Sequence, residues 1–66
     1  MTFYFDFGDF VESKIGTQKM FGRVIDICSE NDKPCILIQL MDEYFSKSIG
    51  AKVWDDERNW DHAVPF

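Results

Sequence analysis

The sequence predicts a small all-β domain, and three features of the 66-residue chain support this fold class. Apolar and polar residues alternate along several short segments, which is the two-residue period of a half-buried strand. Turn-forming residues separate these segments, and no stretch keeps the period of a long amphipathic helix. Hydrophobic residues make up 45% of the chain and aromatic residues 17%, enough to build a dense core. This length predicts a single domain, residues 1–66.

The first predicted strand lies at the N-terminus, where three phenylalanines alternate with other residues over positions 3–7. Gly8 and Asp9 interrupt this alternation, which predicts a turn or a bulge between the flanking aromatic residues. Extended structure is expected to resume at residues 10–12, and a loop is expected at residues 16–18.

Two apolar strands are predicted next, at residues 20–28 and 35–41, and the turn-forming residues 29–34 join them into a hairpin. Both faces of the first of these strands are apolar, as expected of a central strand in a very small barrel. One face is expected to hold Phe21, Ile25 and Ile27, and the other Met20, Val24 and Cys28.

Residues 44–54 admit two interpretations, either one bent strand broken at Gly50 or a short helix followed by a strand. Residues 55–60 predict a single helical turn with one of its first two aspartates as the N-cap. Residues 62–66 predict a short last strand, in which Pro65 suits an edge or a strand end.

Five short strands, with one short helical turn before the last strand, predict a small five-stranded SH3-like barrel. An OB-type barrel fits less well, because it needs a longer chain and a helix between its third and fourth strands. The apolar residues expected in the core are Phe5, Val11, Val24, Ile25, Ile36, Ile38, Val53 and Val64.

The chain carries a net charge of −5, and the excess acids lie at its two ends. Residues 1–12 hold three acids and no base, and residues 55–66 hold four acids and one base. This acidity argues against nucleic acid as a partner, because few cations are available to replace the counterions of a phosphate backbone. The first and last strands of an SH3-like barrel lie side by side, so the two ends are expected to form one negative face. Its acids are Asp6, Asp9, Glu12, Asp55, Asp56, Glu57 and Asp61.

Two cysteines, Cys28 and Cys35, are too few for the disulfide framework of a small secreted domain. We expect buried free thiols that face each other across the hairpin, with a redox disulfide between them as the alternative. A metal site that adds Asp61 and His62 is not expected, because six residues between the cysteines is not a usual zinc spacing. No metal and no cofactor are therefore predicted.

Signals of export and of catalysis are also missing from the sequence. The N-terminus has no basic region ahead of its apolar residues, and no run approaches the roughly 20 apolar residues of a membrane span. We therefore expect a cytoplasmic protein that has no membrane partner. His62 is the sole histidine, and neither cysteine has a local signature of activation, so no enzyme is predicted.

A glycine-acid pattern in the first third of the chain resembles a known family. Its residues are Phe5, Gly8, Asp9, Val11, Lys14, Gly16, Lys19 and Met20. The pattern resembles the start of the small bacterial YodC-like proteins and the opening G-D-x-V strand of KOW and Tudor-type SH3-like barrels. The chain departs from the YodC-like pattern at Ile15, Thr17 and Gln18, where that family has a Gly-Gly-Pro-like loop. The resemblance implies an SH3-like fold, and it implies no reaction because the YodC-like family has no settled activity.

Aromatic residues lie beside acids in the later half of the chain, which predicts a binding surface. The predicted binding residues are Trp54, Trp60, Tyr44, Asp55, Asp56, Glu57 and Asp61. A more specific alternative adds Phe45 to form an aromatic cage that holds methylated lysine or arginine by cation–π attraction. The structural alternative is that Trp54 is a core residue and Trp60 packs over the end of the barrel.

The predicted function is a non-enzymatic protein-interaction module, a small acidic barrel that binds and regulates or inhibits a larger protein with a basic surface. A monomer or a weak homo-oligomer is expected. One alternative is a KOW- or Tudor-type nucleic-acid or ribonucleoprotein accessory barrel. Its candidate bases are Lys14, Lys19, Arg23 and Lys33. Another alternative is an acidic DNA mimic that inhibits a nucleic-acid enzyme.

Overall fold

The computed structural model describes residues 4–14 and 19–64, and within these ranges the chain is all-β with one 3-10 turn. Phe3, the predicted loop at residues 16–18 and Pro65 lie outside the described residues. No helix in the described part of the chain has the length and apolar character needed to cross a membrane. The elements are β1 (Phe10–Ser13), β2 (Phe21–Glu30), β3 (Lys33–Met41), β4 (Ser48–Asp56), the 3-10 turn Glu57–Asn59 and β5 (Trp60–His62).

The five strands form one antiparallel sheet in the order β4-β3-β2-β1-β5. β1 pairs with both β2 and β5, so the first and last strands lie side by side, as predicted. The sheet is not closed over the described residues. The structure therefore confirms a five-stranded all-β fold with a short helical turn before the last strand, and the SH3-like barrel stays a prediction.

The predicted N-terminal strand is wrong for residues 4–7, which are irregular and lead into a turn. The Asp6 amide donates to the Asp9 carboxylate at 2.9 Å, and the Asp9 amide donates to the Asp6 carbonyl at 3.2 Å. Gly8 lies inside this turn at φ +87°, a conformation that glycine adopts readily. The turn was predicted, and it directs the chain so that Phe5, only 1% exposed, enters the core.

The predicted hairpin between β2 and β3 is confirmed, and its loop is shorter than expected. Pairing continues to Glu30 and Lys33, which leaves a two-residue turn at Asn31 and Asp32. Both turn residues have positive φ, 51° and 60°, which is the geometry of a type I′ turn. Asn and Asp tolerate this left-handed conformation better than other non-glycine residues.

A bulge at Ile25 makes the predicted division of faces on β2 wrong. Val24 pairs with Ile38 and Ile27 pairs with Ile36, so three steps along β2 are matched by only two steps along β3. The extra residue brings Val24 and Ile27 to the same side of the sheet. Both therefore face the core, whereas uninterrupted alternation would separate them.

The core lies on one face of the sheet, and most of its predicted members are confirmed. Fully buried residues are Phe5, Val11, Val24, Ile36, Ile38 and Trp60, with Ile27, Leu40 and Val53 packed against them. Ile25 is only half-buried because it occupies the bulge, and Val64 is wrong because it follows β5 and is 81% exposed. Trp60 was not among the predicted core residues.

Close packing between β2 and β3 explains Gly22. A Cβ atom at this position would lie 2.3 Å from Ile38 Cγ2 and 2.7 Å from the Gln39 carbonyl oxygen. Any side chain there would push the two central strands apart.

β4 follows a turn rather than the helix that one interpretation predicted. Residues 42–47 are held by Asp42, whose carboxylate accepts hydrogen bonds from the Ser46 amide and hydroxyl at 2.9 and 2.7 Å. β4 then bends at Gly50, which has φ +83° and lies where the register with β3 shifts. The bend at Gly50 agrees with the other interpretation, that of one strand bent at this glycine, although the strand begins at Ser48.

The last strand begins earlier than predicted. β5 spans Trp60–His62, whereas residues 63 and 64 are irregular, because the 3-10 turn delivers the chain to β1 at once. Asp56 is the N-cap of that turn, as expected for one of the two aspartates.

Candidate protein-binding surface

The structure does not bring the predicted binding residues into one cluster. Trp60 is 1% exposed and belongs to the core, so the expectation of an exposed aromatic at this position is wrong. Trp54 is 53% exposed, so the alternative that places it in the core is also wrong. Tyr44 is 61% exposed, and it lies in the turn before β4, far along the strand from Trp54. Of these three predicted aromatic residues, Trp54 alone is an exposed residue of a strand.

Asp55 acts within the fold, because its carboxylate anchors the buried tryptophan. The Trp60 indole N–H donates to Asp55 Oδ2 at 2.8 Å, and the Asn59 side-chain amide donates to Asp55 Oδ1 at 3.0 Å. A buried indole N–H needs an acceptor, and this carboxylate supplies it. Asp55 thus ties the end of β4 to the start of β5.

Glu57 is also engaged inside the molecule. It is a buried residue of the 3-10 turn, and its Oε2 atom accepts a hydrogen bond from the Tyr4 amide at 3.0 Å. The contact fastens the N-terminal segment across the end of the sheet. Glu57 therefore has a structural role, and its carboxylate is not part of an exposed acidic surface.

Asp56 is half-buried, and the charge of Arg58 neutralises its carboxylate. Arg58 donates to the Asp56 carboxylate from Nε at 3.1 Å and from Nη2 at 2.7 Å, and its backbone amide donates at 2.9 Å. These hydrogen bonds and the charge of Arg58 lower the pKa of Asp56 to about 2. Asp56 is therefore both the N-cap of the 3-10 turn and the partner of Arg58 in an ion pair.

The acids of the two chain ends do meet, and cations accompany them. Glu12 and Asp61 are direct partners on β1 and β5, an arrangement that like charges disfavour. Lys19 lies 3.5 Å from the Glu12 carboxylate, and Lys14 lies 3.3 Å from the Asp61 carboxylate. The predicted negative face is therefore largely compensated where β1 and β5 pair.

The predicted aromatic cage is not assembled in the described structure. Phe45 is buried against Phe10 and Phe21, with ring centroids 4.8 and 5.6 Å apart. Trp60 lies in the core on the other side of the sheet. The aromatic residues needed for a cage are thus divided between the two faces.

Trp54 lies on a surface that sequence reasoning described only in part. Trp54 pairs with Leu37 across β3 and β4, and Cys35 lies two residues before Leu37 on the same face. Cys28 pairs with Cys35 on the neighbouring strand β2. We call these four residues, together with Glu30, the Trp54 surface.

The Trp54 surface contains a shallow groove with a volume of about 320 Å³. Its lining residues are Cys28, Glu30, Cys35 and Trp54. The alternation on β3 could have identified it, because two buried isoleucines at 36 and 38 require residues 35 and 37 to face outward. Cys35 and Leu37 were not among the predicted binding residues, although this alternation places both on the outer face.

The cysteines face each other across the hairpin, as predicted, and they are free thiols. The expectation that both are buried is wrong, because Cys28 is exposed and Cys35 is half-buried on the outer face.

His62 packs on the Phe5 and Tyr4 rings, with centroids 4.5 and 4.8 Å apart. No group of three or more His, Cys, Asp or Glu side chains in the described ranges is placed to hold a metal ion.

The geometry offers an apolar patch around one exposed tryptophan, and the two acids that follow it in the chain, Asp55 and Asp56, have partners within the chain. The resemblance to YodC-like and KOW or Tudor-type proteins stays a prediction. Comparisons with protein-family models, with curated proteins and with solved structures find no match.

Proposed function

We propose that this protein is a non-enzymatic interaction module that binds a larger protein through the Trp54 surface. The observation that carries the proposal is the 53% exposure of Trp54 on strand β4, next to other apolar side chains. Tryptophan is strongly enriched among the residues that dominate binding energy at protein interfaces. An exposed apolar patch on a small domain commonly marks an interaction site.

The composition of the surface also fits a protein partner. Its centre is apolar, with Trp54, Leu37 and the two thiols, and its edge carries Glu30 and the Asp56–Arg58 pair. An apolar centre within a polar rim is the usual organisation of a protein interface. With a net charge of −5, the domain attracts a partner whose surface is basic.

The proposed fold of the module is the SH3-like barrel. Four strands in chain order and a fifth that returns to pair with β1 support this proposal, as does the 3-10 turn before β5. Binding to the larger protein is proposed to regulate or inhibit it, because the described residues offer a surface on which a partner can dock.

The alternatives receive less support from the contacts of the charged residues. Lys14 and Lys19 are paired with acids, and Arg23 donates to the Gly8 carbonyl and lies over the Phe10 ring. These contacts leave little of the basic cluster for a nucleic-acid accessory role. Among the acids, Glu12, Asp56 and Asp61 are paired with lysine or arginine, and Asp55 accepts from the Trp60 indole, which weakens the proposal of a DNA mimic.

The test compares two single substitutions of exposed aromatic residues. The protein is used to capture a partner from its native host, and the purified partner's affinity is then measured for each variant. Trp54→Ala is expected to weaken binding by about 2 kcal/mol or more, roughly 30-fold. Tyr44→Ala, a matched control that lies in the turn before β4, is expected to leave the affinity unchanged.

Two outcomes contradict the proposal. Equal affinity of Trp54→Ala and the unsubstituted protein would remove the Trp54 surface from the interface. Capture of nucleic acid as the tight ligand, with an affinity that falls steeply with salt, would favour the accessory-barrel alternative instead.

A further inference from the structure

The two cysteines occupy the one rung of the hairpin that a disulfide could close. Cys28 and Cys35 are direct cross-strand partners, and the tight turn at Asn31 and Asp32 holds them in this register. Pairing extends on both sides of the rung, from Glu30–Lys33 at the turn to the bulge at Ile25. Their opposition is therefore a fixed feature of the hairpin.

The pairing of Cys28 with Cys35 implies a separation that suits a covalent bond. Directly opposed residues on antiparallel strands have Cα atoms about 4.5–5.5 Å apart. Disulfides join residues whose Cα atoms are about 4.4–6.8 Å apart. Both side chains point to the outer face, because Ile36, next to Cys35, is fully buried on the inner face.

Both thiols are accessible to a small molecule, and the hydrogen bonds that hold them are weak. Cys28 is exposed, and Cys35 lines the groove beside Trp54. Each sulfur lies near a carbonyl of its own strand, 3.9 Å from Ser29 O and 3.8 Å from Lys33 O. Thiols are weak donors, so little is lost when these contacts are exchanged for an S–S bond.

We propose that Cys28 and Cys35 form a reversible intramolecular disulfide, which makes the rung a redox modification site on the Trp54 surface. The oxidant is a small-molecule disulfide. The more exposed Cys28, as its thiolate, attacks one sulfur of that disulfide, forms a mixed disulfide and releases one thiolate. The Cys35 thiolate then attacks the Cys28 sulfur and releases the second.

The electron and proton balance of the exchange is complete. Two protein thiols lose two electrons and two protons and become one disulfide, while the small-molecule disulfide gains them and becomes two thiols. The same exchange runs backwards with excess thiol, and exposure of the bond keeps it open to reduction. Any effect on partner binding rests on the proposed function, whereas the oxidation itself is measured without a partner.

The test treats the purified, reduced protein with oxidised glutathione and follows its intact mass and free thiols. The expected product is a monomer that has lost both thiols and two hydrogen atoms and that dithiothreitol restores. Cys28→Ser and Cys35→Ser are each expected to stop at a glutathione adduct, and circular dichroism checks that both variants fold. In urea, where the hairpin register is lost, the internal disulfide is expected to form more slowly.

Fluorescence supplies a second measurement. A disulfide beside Trp54 quenches its emission, so oxidation is expected to dim the protein but not a Trp54→Phe variant, which keeps only the buried Trp60. Accumulation of glutathione adducts or disulfide-linked dimers in the unsubstituted protein would overturn the proposal. Closure in urea as fast as in the folded chain would also overturn it, because the hairpin would then contribute nothing.

Discussion

The Asp55 carboxylate joins three positions at the point where β4 passes into the 3-10 turn. It accepts from the Trp60 indole at 2.8 Å, from the Asn59 side chain at 3.0 Å and from the Asp56 amide at 2.8 Å. Asp56, next in the chain, instead caps the turn and binds Arg58. Two adjacent aspartates therefore have separate structural roles, one toward the core and one toward solvent.

Removing the Asp55 acceptor is expected to destabilise the fold through Trp60. Asp55→Ala leaves the buried indole N–H without its acceptor, and we expect a loss of about 1–3 kcal/mol in the free energy of unfolding. The measurement is urea denaturation, and Glu43→Ala at an exposed position is the control.

A double-mutant cycle separates this hydrogen bond from other effects of the substitution. In a Trp60→Phe background the indole donor is gone, so Asp55→Ala is expected to cost less than it does in the unsubstituted protein. Equal costs in the two backgrounds would show that the Trp60–Asp55 bond contributes nothing to stability.

The ion pair of Asp56 predicts a pH dependence. Its folded pKa is lowered from 3.8 to about 2. Its contribution to stability is therefore present above pH 3.8 and is lost as the pH falls through 2. Replacing Arg58 with Ala is expected to raise the pKa of Asp56 toward 3.8, measured by NMR titration of the carboxyl carbons.

Asp42 provides an internal control in the same titration. Its pKa is lowered by hydrogen bonds from Ser46 rather than by Arg58. Arg58→Ala is therefore expected to leave the pKa of Asp42 unchanged. A pKa of Asp56 that stays near 2 in this variant would mean that Arg58 is not the cause of the shift.

At the scale of elements, the β2–β3 hairpin organises the molecule. Its two-residue turn sets the register, and the bulge at Ile25 then turns Val24 and Ile27 to the same face. The core on the inner face and the cysteine rung on the outer face both depend on that register. A change at the turn is expected to alter stability without altering any core contact.

Position 32 tests this dependence on the turn. Asp32 has φ 60°, where glycine is favoured and β-branched residues are strongly disfavoured. Asp32→Gly is expected to raise the free energy of unfolding by a few tenths to about 1 kcal/mol, and Asp32→Val to lower it by about 1–2 kcal/mol. Thermal denaturation ranks the stabilities of the two variants. A valine variant more stable than the glycine variant would contradict a type I′ turn.

At the scale of the whole molecule, one five-stranded sheet separates two groups of apolar side chains. The inner face holds the core around Trp60, and the outer face holds Phe45 packed on Phe10 and Phe21 at one end and Trp54 at the other. In a domain this small, each core side chain carries a large share of the stability.

Truncation of Ile38 is expected to measure that share. Ile38 is fully buried, and Ile38→Ala is expected to cost about 2–5 kcal/mol, which approaches the whole stability of a small domain. Ile38→Val is expected to lower the free energy of unfolding by about 0.5–1.5 kcal/mol, and this loss can be measured even if the alanine variant does not fold. Val64→Ala at an 81% exposed position is the control, and the measurement is urea denaturation.

The sequence by itself determined the features that depend on neighbouring residues. Alternation predicted the β class and the two central strands, turn-forming residues predicted the hairpin and the turn at Gly8, and adjacent aspartates predicted the cap of the helical turn. Each of these follows from backbone preferences and hydrogen bonds within a few residues.

The tertiary structure alone decided which of the two tryptophans is buried. Trp54 and Trp60 both lie beside acids, and nothing local distinguishes them. Pairing of β4 with β3 turns Val53 toward Ile38 and Trp54 outward, whereas pairing of β5 with β1 places Trp60 opposite the buried Ser13. These pairings join residues far apart in the chain, so the choice depends on long-range register, which one residue of slip would reverse.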